Sequence, residues 1–162
     1  MNIAVREIRT SDISQISQLI QISIKRSWLG YRSAESIKMA CKKYTPAKLI
    51  KRLEDDSFIY WVAENEDGNQ LVGIIGLKEN QLRTFFVHPQ YQGQGVGRKL
   101  YDVLEEYAKT NKIQKLTVEG SINGEPVYKK FGFTKIKTLI KKRPSGTYTD
   151  ALMEKIINQT PV

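Results

Sequence analysis

Thr84–Leu100 reads TFFVHPQYQGQGVGRKL, and this stretch decides the architecture. Leu82–His88 is an apolar, aromatic run of strand character. Pro89 ends it and a short loop follows. Val96, Leu100, Val103, Leu104 and Tyr107 then recur at helical spacing, so Gly95–Thr110 reads as an amphipathic helix. The first turn of such a helix carries N–H groups with no intrahelical acceptor, and the helix dipole adds partial positive charge. A pyrophosphate is stabilised at that position. Gly93, Gly95 and Gly97 lack a Cβ, so the chain can turn sharply and a phosphate can come close to the backbone. Arg98 and Lys99 add positive charge nearby.

Other glycine motifs fit less well. A Walker A loop ends in Gly-Lys-Ser/Thr, whereas this one ends Gly97-Arg98-Lys99. A dinucleotide fingerprint needs GxGxxG within a parallel βαβ unit, whereas the spacing here is Gly93-x-Gly95-x-Gly97. By themselves the glycines describe equally well a flexible loop that caps a helix.

Working outward, Phe58–Glu64 and Gln70–Lys78 read as strands separated by an Asp67-Gly68 turn, and Glu79-Asn80 turns the chain into Leu82–His88. Short connections of this kind make an antiparallel meander. Toward the N-terminus, residues 3–9 alternate as a half-buried strand. Ser11 or Asp12 is placed to cap a helix whose buried face is Ile13, Ile16, Ile20 and Ile24. A second helix is expected over Ala34–Lys43, and a short third one from Pro46 to Leu53. Toward the C-terminus, Lys115–Glu119 is a strand and Glu125–Phe131 a short helix stopped by Gly132. Thr134–Lys142 and Thr147–Ile156 are closing strands. The fold class is mixed α and β in a single three-layer domain, residues 1–158, with a central, mostly antiparallel twisted sheet. The order is β-α-α-β-β-β-α-β-α-β-β, the short Pro46 helix belonging to the first connection.

The bulk properties agree with a globular domain. A chain of 162 residues that is 40% hydrophobic and 27% charged can bury one core without staples. The single cysteine, Cys41, forms no internal disulfide, and one cysteine with one histidine, His88, cannot supply a structural zinc site. No metal is expected. The N-terminus lacks a basic region followed by an apolar run, and no apolar stretch is long enough for a membrane span, so a cytoplasmic location is expected. The net charge of +9 comes from 26 basic and 17 acidic residues. It attracts phosphate-bearing ligands, or it simply confers solubility. Between Pro126 and Thr149 there are seven basic residues and no acidic ones, but Lys135 and Lys137 also suit a solvated strand edge.

The string Val87-His88-Pro89, with Tyr91-Gln92-Gly93-Gln94-Gly95-Val96-Gly97, resembles the acetyl-CoA-binding motif of the GNAT acetyltransferases, Gln/Arg-x-x-Gly-x-Gly/Ala, which Gln92, Gly95 and Gly97 match. Ser121–Phe133 looks like a second block of that family, in which a small polar residue precedes a short helix carrying a tyrosine, followed by Gly-Phe. Tyr128 and Gly132-Phe133 take those places. Thr149–Met153 resembles the family's last strand, and the resemblance covers nearly the whole chain.

The resemblance implies an acyltransferase that uses acetyl-CoA as acyl donor and passes the acetyl group directly to a primary amine of a small molecule or peptide. It implies that Gln92, Gly93, Gln94, Gly95, Val96, Gly97, Arg98 and Lys99 hold the phosphates. The pantetheine arm lies in a gap between Leu82–His88 and Lys115–Glu119, beside the backbone of Phe86 and Val87. Asn123 is expected to bond the pantetheine amides, as Ser121 could, although both residues also initiate helices. Tyr128 is expected beside the cofactor as the acid that protonates the leaving thiolate, since a phenol has a reference pKa near 10. Its alternative role is ring packing. Many family members carry Glu near the start of the central strand, where this chain has Gln81-Leu82-Arg83-Thr84. The base is therefore sought in Glu119, Glu79 or His88, or in water. Family acceptor sites suggest Ser27–Ser33 and Pro144–Tyr148, with Trp28 and Tyr31 as substrate-binding aromatics that attract cations. The basic balance fits an acidic or neutral amine, or a peptide N-terminus, better than a polycation. The alternatives are a non-catalytic acyl-CoA sensor, kept open by the missing strand carboxylate, and nucleic-acid binding, which only charge supports. A homodimer is compatible with the family, and no membrane partner is expected.

Overall fold

The computed structural model describes residues 1–158. In chain order the elements are β1 (Ile3–Glu7), α1 (Ile13–Trp28), α2 (Ala34–Lys42), α3 (Pro46–Leu53), β2 (Phe58–Asn65), β3 (Gln70–Lys78) and β4 (Gln81–Val87). Then follow α4 (Val96–Thr110), β5 (Lys115–Ser121), α5 (Glu125–Lys130), β6 (Thr134–Arg143) and β7 (Gly146–Ile156). Thr10–Asp12 and Pro89–Tyr91 form short 3-10 turns. Pro46 occupies the first turn of α3, where its missing N–H costs nothing.

The seven strands form one sheet in the order β1-β2-β3-β4-β5-β7-β6. Every neighbouring pair is antiparallel except β4 and β5. Alternation sends successive side chains to opposite faces. Tyr60, Val62, Leu71 and Ile74 pack with Ile16, Ile20 and Ile24 of α1 and with Ala40, Cys41 and Leu49. Trp61, Ala63, Val72 and Ile75 pack on the other face with Val96, Leu100, Tyr101 and Leu104 of α4. Helices therefore cover both faces of the sheet, in three layers. Tyr101 is fully buried and stacks on Phe131 at 4.3 Å, a core contact that the helical spacing of Val103 and Tyr107 did not single out.

One local expectation changes and one open alternative is decided. Asp12 stands at the N-cap of α1, but its side chain makes no cap bond. Its carboxylate turns back to accept from the Arg9 N–H (2.7 Å) and from both terminal nitrogens of Arg6 (2.8 and 3.0 Å). Two charge-assisted bonds outweigh one cap. Strand β6 lies at the sheet edge, with Lys135 and Lys137 exposed, so the basic run there guards an edge.

The feature that positions the site is the short contact between β4 and β5. Only Gln81↔Thr117 and Leu82↔Val118 are paired. Immediately afterwards the β3–β4 register jumps from Leu77↔Leu82 to Gly76↔Thr84, so Arg83 is an extra residue in β4. A bulge bends its strand and raises the local twist. Beyond it, β4 and β5 diverge.

Candidate active site

The divergence opens a cleft of about 620 Å³. Its walls include Phe85, Phe86 and Val87 of β4, Val118, Glu119 and Ser121 of β5, and Tyr128 and Phe131 at the end of α5. The orientation of the β4 peptides follows from three bonds. The His88 N–H donates to the Val72 carbonyl at 2.8 Å, which turns His88 toward β3. The Val87 carbonyl instead accepts from Gln92 Nε2 (3.2 Å) and Ser23 Oγ (3.3 Å). Alternation then turns Phe86 to β3, opposite Ile74, and leaves the Phe85 peptide groups and the Val87 N–H facing the gap. The expectation for Phe86 needs correcting. Its side chain lines the cleft against Tyr44 (centroids 5.7 Å apart), but its backbone is engaged in the sheet. The Phe85 peptide groups, not those of Phe86, face the gap beside Val87.

At one end of the cleft lies the glycine loop. Gly93 and Gly95 have φ of +73° and +83°, the left-handed region that disfavours side chains. A Cβ added to either would meet nothing within 4 Å, so open space adjoins the turn. Gly95 caps α4, and the Lys99 N–H is the first to find a helical acceptor, Gly95 O at 3.1 Å. The N–H groups of Val96, Gly97 and Arg98 precede it and have no intrahelical partner. Gln92, Gly93 and Gly97 line the cleft. Val96 buries its side chain in the core and offers only backbone. Gln94 donates to the Gln90 carbonyl at 2.8 Å and so braces the loop. Arg98 lies over Phe131 at 4.5 Å and donates to the Lys130 carbonyl at 3.3 Å. Lys99 does not join the site, because its ammonium donates to the Ile3 carbonyl at 3.2 Å in β1.

Tyr128 lines the middle of the cleft. Its ring rests against Phe133 (5.9 Å) and Phe85 (6.3 Å), and against Gly120 and Gly124, where an added Cβ would come within 3.0 and 3.1 Å of it. No hydrogen-bond partner for the hydroxyl exists among the described residues. Burial pushes its pKa well above the ordinary phenol value, and Tyr44 adds to the push. The group is a neutral O–H donor throughout the physiological range.

The other end is polar. Glu119 lines the cleft and is paired with Lys141. Lys141 also holds Asp150 (3.1 Å), which in turn accepts from Arg32 (2.9 Å). The Arg32 guanidinium lies between the rings of Tyr148 (4.0 Å) and Trp28 (5.2 Å). Ser33 Oγ donates to the Ser145 carbonyl at 3.1 Å, tying the start of α2 to the β6–β7 hairpin. Ser27–Ser33 and Pro144–Tyr148 are thus brought together. Trp28 lines the cleft, but Tyr31 is 61% exposed and does not, because it lies on the outer side of the turn after α1. Glu79 is also outside, in the β3–β4 turn beside Asn80, Ile113 and Lys115. It precedes the paired rungs of β4 and β5, whereas the cleft opens after them. His88 Nδ1 accepts from the Gln90 N–H at 3.3 Å and caps the turn before the loop. Asn123 lines the cleft, yet its amide donates to the Ser27 carbonyl at 2.8 Å, so it clamps the β5–α5 loop to α1. Ser121 Oγ accepts from the Gly124 N–H at 3.2 Å.

The geometry fits a long phosphorylated thioester such as acetyl-CoA. Open space beside left-handed glycines at a helix N-terminus suits its phosphates. A bared strand edge suits an amide-containing arm, and the volume lies within the range of small-molecule sites. Sequence reasoning covered Arg32 only as part of Ser27–Ser33 without singling it out, and missed Tyr44, Arg83, Phe85, Gly120 and Asp150. Only Gly120 carried a usable signal, since an isolated glycine in a strand marks a close approach.

The family model described as "Acetyltransferase (GNAT) domain" matches residues 30–144. A candidate [ribosomal protein bS18]-alanine N-acetyltransferase of Bacillus subtilis is 24% identical over 136 residues, covering 80% of this chain and 79% of the relative. A GCN5-related N-acetyltransferase structure from Rhodopseudomonas palustris superposes with a TM-score of 0.85 at 23% identity over 96% of both chains. The PaiA N-acetyltransferase of Thermoplasma acidophilum, in complex with coenzyme A, does so with a TM-score of 0.80 at 23% identity, covering 96% of this chain and 99% of that one.

Proposed function

The chain belongs to the GNAT acetyltransferase family, and on that premise we propose that this acyltransferase moves the acetyl group of acetyl-CoA directly to a primary amine of a small molecule or peptide. The observation that carries the reading is the bared β4 edge at Phe85 and Val87, in the same cleft as Gly93 and Gly97 of the glycine loop. Relatives named for a ribosomal-protein alanine and for spermidine are both amine acetylators, which supports the reaction type and leaves the acceptor to this chain's own cleft.

When bound, acetyl-CoA supplies the activated acyl group. The N–H groups of Val96, Gly97 and Arg98 hold its phosphates, with Gln92 and Gly93 beside them, and the Phe85 peptide pairs with its arm. The Val87 N–H is placed to polarise the thioester carbonyl, as an oxyanion donor does. The acceptor nitrogen forms the new C–N bond while the C–S bond breaks. Tyr128, held neutral by its surroundings, gives the departing sulfur its proton and regains one from the proton that the attacking nitrogen sheds as it becomes an amide. Glu119 receives the ammonium proton through water. The catalytic unit is residues 1–158 and works in the cytoplasm.

Calorimetric titration with acetyl-CoA, dephospho-CoA and ATP, followed by thiol-release assays on an amine panel, tests the reading. Saturable acetyl-CoA binding, weaker for the other two, with amine-dependent thiol release, is expected. A folded protein that binds none of them would refute the cofactor site. Binding without release by any amine would favour the sensor alternative.

A further inference from the structure

The acceptor end of the cleft contains several charged groups, of which the acetyl-transfer reading above uses only Glu119. Two carboxylates line it, Glu119 and Asp150. Neither is available to a cationic acceptor. Lys141 pairs with both, and Arg32 holds Asp150 at 2.9 Å. A polyamine would have to displace these partners, exchanging made ion pairs for new ones with no gain in charge complementarity.

Arg32 presents the opposite opportunity. Its side chain is only 10% exposed, and it lines the cleft. Among the described residues, only one of its nitrogens, Nη2, has a hydrogen-bond partner. Nε and Nη1 therefore have no protein acceptor, and neither is a fully buried atom, so both stay open to an acceptor that enters the cleft. The rings of Tyr148 and Trp28 fix the guanidinium plane, and Tyr148 is itself anchored by donating to the Ser145 carbonyl at 2.6 Å. A fixed fork with vacant donors matches a carboxylate. Arg83, at the bulge, adds a cation to the same cleft and gives this end a surplus positive charge over the pairs already made.

We propose that Arg32 selects the acceptor and that the acceptor is a primary amine bearing a carboxylate. The carboxylate docks on the vacant guanidinium donors, which directs the amino group toward the β4 edge. This inference rests on the acetyltransferase reading of the cleft. A free amino acid and a peptide with an acidic N-terminal residue share this chemistry, and the test separates them.

The experiment uses the full chain with acetyl-CoA and matched acceptors: aspartate against asparagine amide, an aspartyl dipeptide amide against its asparaginyl counterpart, and spermidine. The expected result is a kcat/KM at least about tenfold higher for the carboxylate member of one pair. Which pair shows it identifies the source. Arg32→Gln is expected to bring that ratio within about twofold while the acetyl-CoA Kd stays unchanged, and Arg32→Lys, which keeps charge without the fork, is expected to restore part of it. A purely structural arginine would lower all acceptors together and leave the ratio intact. Equal use of both members of each pair overturns the proposal, as does a ratio that survives Arg32→Gln, or spermidine as the best acceptor. Acetyl-CoA binding with no acceptor turned over also counts against it while leaving the cofactor site standing. Failure to bind acetyl-CoA brings down the acetyltransferase reading itself.

Discussion

Gly120→Ala tests the placement of Tyr128 without touching its chemistry. Gly120 lies within β5, and its backbone is not in the left-handed region, so alanine is tolerated there by the main chain. The added methyl, however, falls 3.0 Å from Tyr128 Cδ2 and 3.2 Å from Cε2. Relaxed carbon contacts lie at about 3.5–4.0 Å, so the ring must retreat by roughly 0.5–0.8 Å. It cannot move toward Phe133 or Phe85, which pack against it, and so it swings into the cleft. Over-packing of this kind costs about 1–3 kcal/mol, reduced by up to about 1 kcal/mol because alanine restricts the unfolded chain. The net expectation is a loss of about 1–2 kcal/mol in stability. A displacement approaching 1 Å at a reacting group costs up to about a hundredfold in rate, so kcat is expected to fall by about ten- to a hundredfold. The phosphates are held elsewhere, so the acetyl-CoA Kd should change little. Thiol-release kinetics, calorimetry and thermal melts read the three quantities. A folded Gly120→Ala enzyme with parental kcat would show that the position of Tyr128 does not matter to the chemistry, and the assigned proton donor would have to be abandoned.

The other expectations follow from the same geometry. Gly95→Val places a branched side chain at φ +83°, costing about 1–3 kcal/mol and closing the space beside the loop, so acetyl-CoA binding should be lost; a folded variant that binds normally would refute the phosphate assignment. Lys99→Ala should leave the acetyl-CoA Kd within about twofold, since its ammonium serves Ile3; a large loss would return it to the site. Because burial raises the Tyr128 pKa, its protonated form persists through the ordinary phenol range, and no alkaline fall in kcat from this group is expected below about pH 10. An alkaline limb below that value that disappears in Tyr128→Phe would contradict this. Burial opposes ionisation of Asp12, but the Arg6 guanidinium and the Arg9 N–H overcome it and hold its pKa below the usual carboxylate range. A depressed folded pKa gives stability that is full above the unfolded value of about 3.9 and is lost as pH falls through the folded one. Asp12→Asn should therefore cost about 2 kcal/mol near neutrality and flatten the acid limb of a stability–pH curve; an unchanged acid limb would place the acid sensitivity elsewhere.

Much of this arrangement is written locally. The glycine spacing after an apolar strand announces a turn with left-handed residues, and Gly93 and Gly95 adopt that conformation. Helical spacing in Ile13–Ile24 assigns the buried face directly, whereas β2 and β3 are buried in continuous runs and offer no alternation from which to assign faces. Residues whose roles depend on pairing across the fold are not readable in this way. Lys99 follows Arg98 in a basic pair, yet one helical step of about 100° turns it toward β1. Tyr31 and Arg32 are neighbours in one aromatic and basic stretch, and only the packing of Tyr148 and Asp150, more than a hundred residues later, decides which enters the cleft.

The bulge at Arg83 shows why the reading stops where it does. A parallel pair that continued past Leu82 and Val118 would satisfy the peptide groups of Phe85 and Val87 within the sheet and leave nothing for a ligand. One extra residue in β4 bends that strand away from β5, and the sheet gives up a run of hydrogen bonds inside the protein. Unmade backbone bonds are costly when buried, so the opened edge is stable only while water or a ligand fills it. Nothing in Gln81-Leu82-Arg83-Thr84 signals this, because a bulge depends on the register against β3 and not on residue type. The same residue that supplies the bend also lines the cleft, with its guanidinium donating to Gln81 Oε1 at 3.2 Å. Backbone geometry for the donor and surplus charge for the acceptor therefore originate at one position. Deleting Arg83 should restore the regular register and close the gap, lowering acetyl-CoA affinity and turnover together. Arg83→Ala should keep the bend and the affinity and reduce only the use of anionic acceptors. Identical behaviour of the two variants would show that the bulge and the side chain cannot be separated in this way.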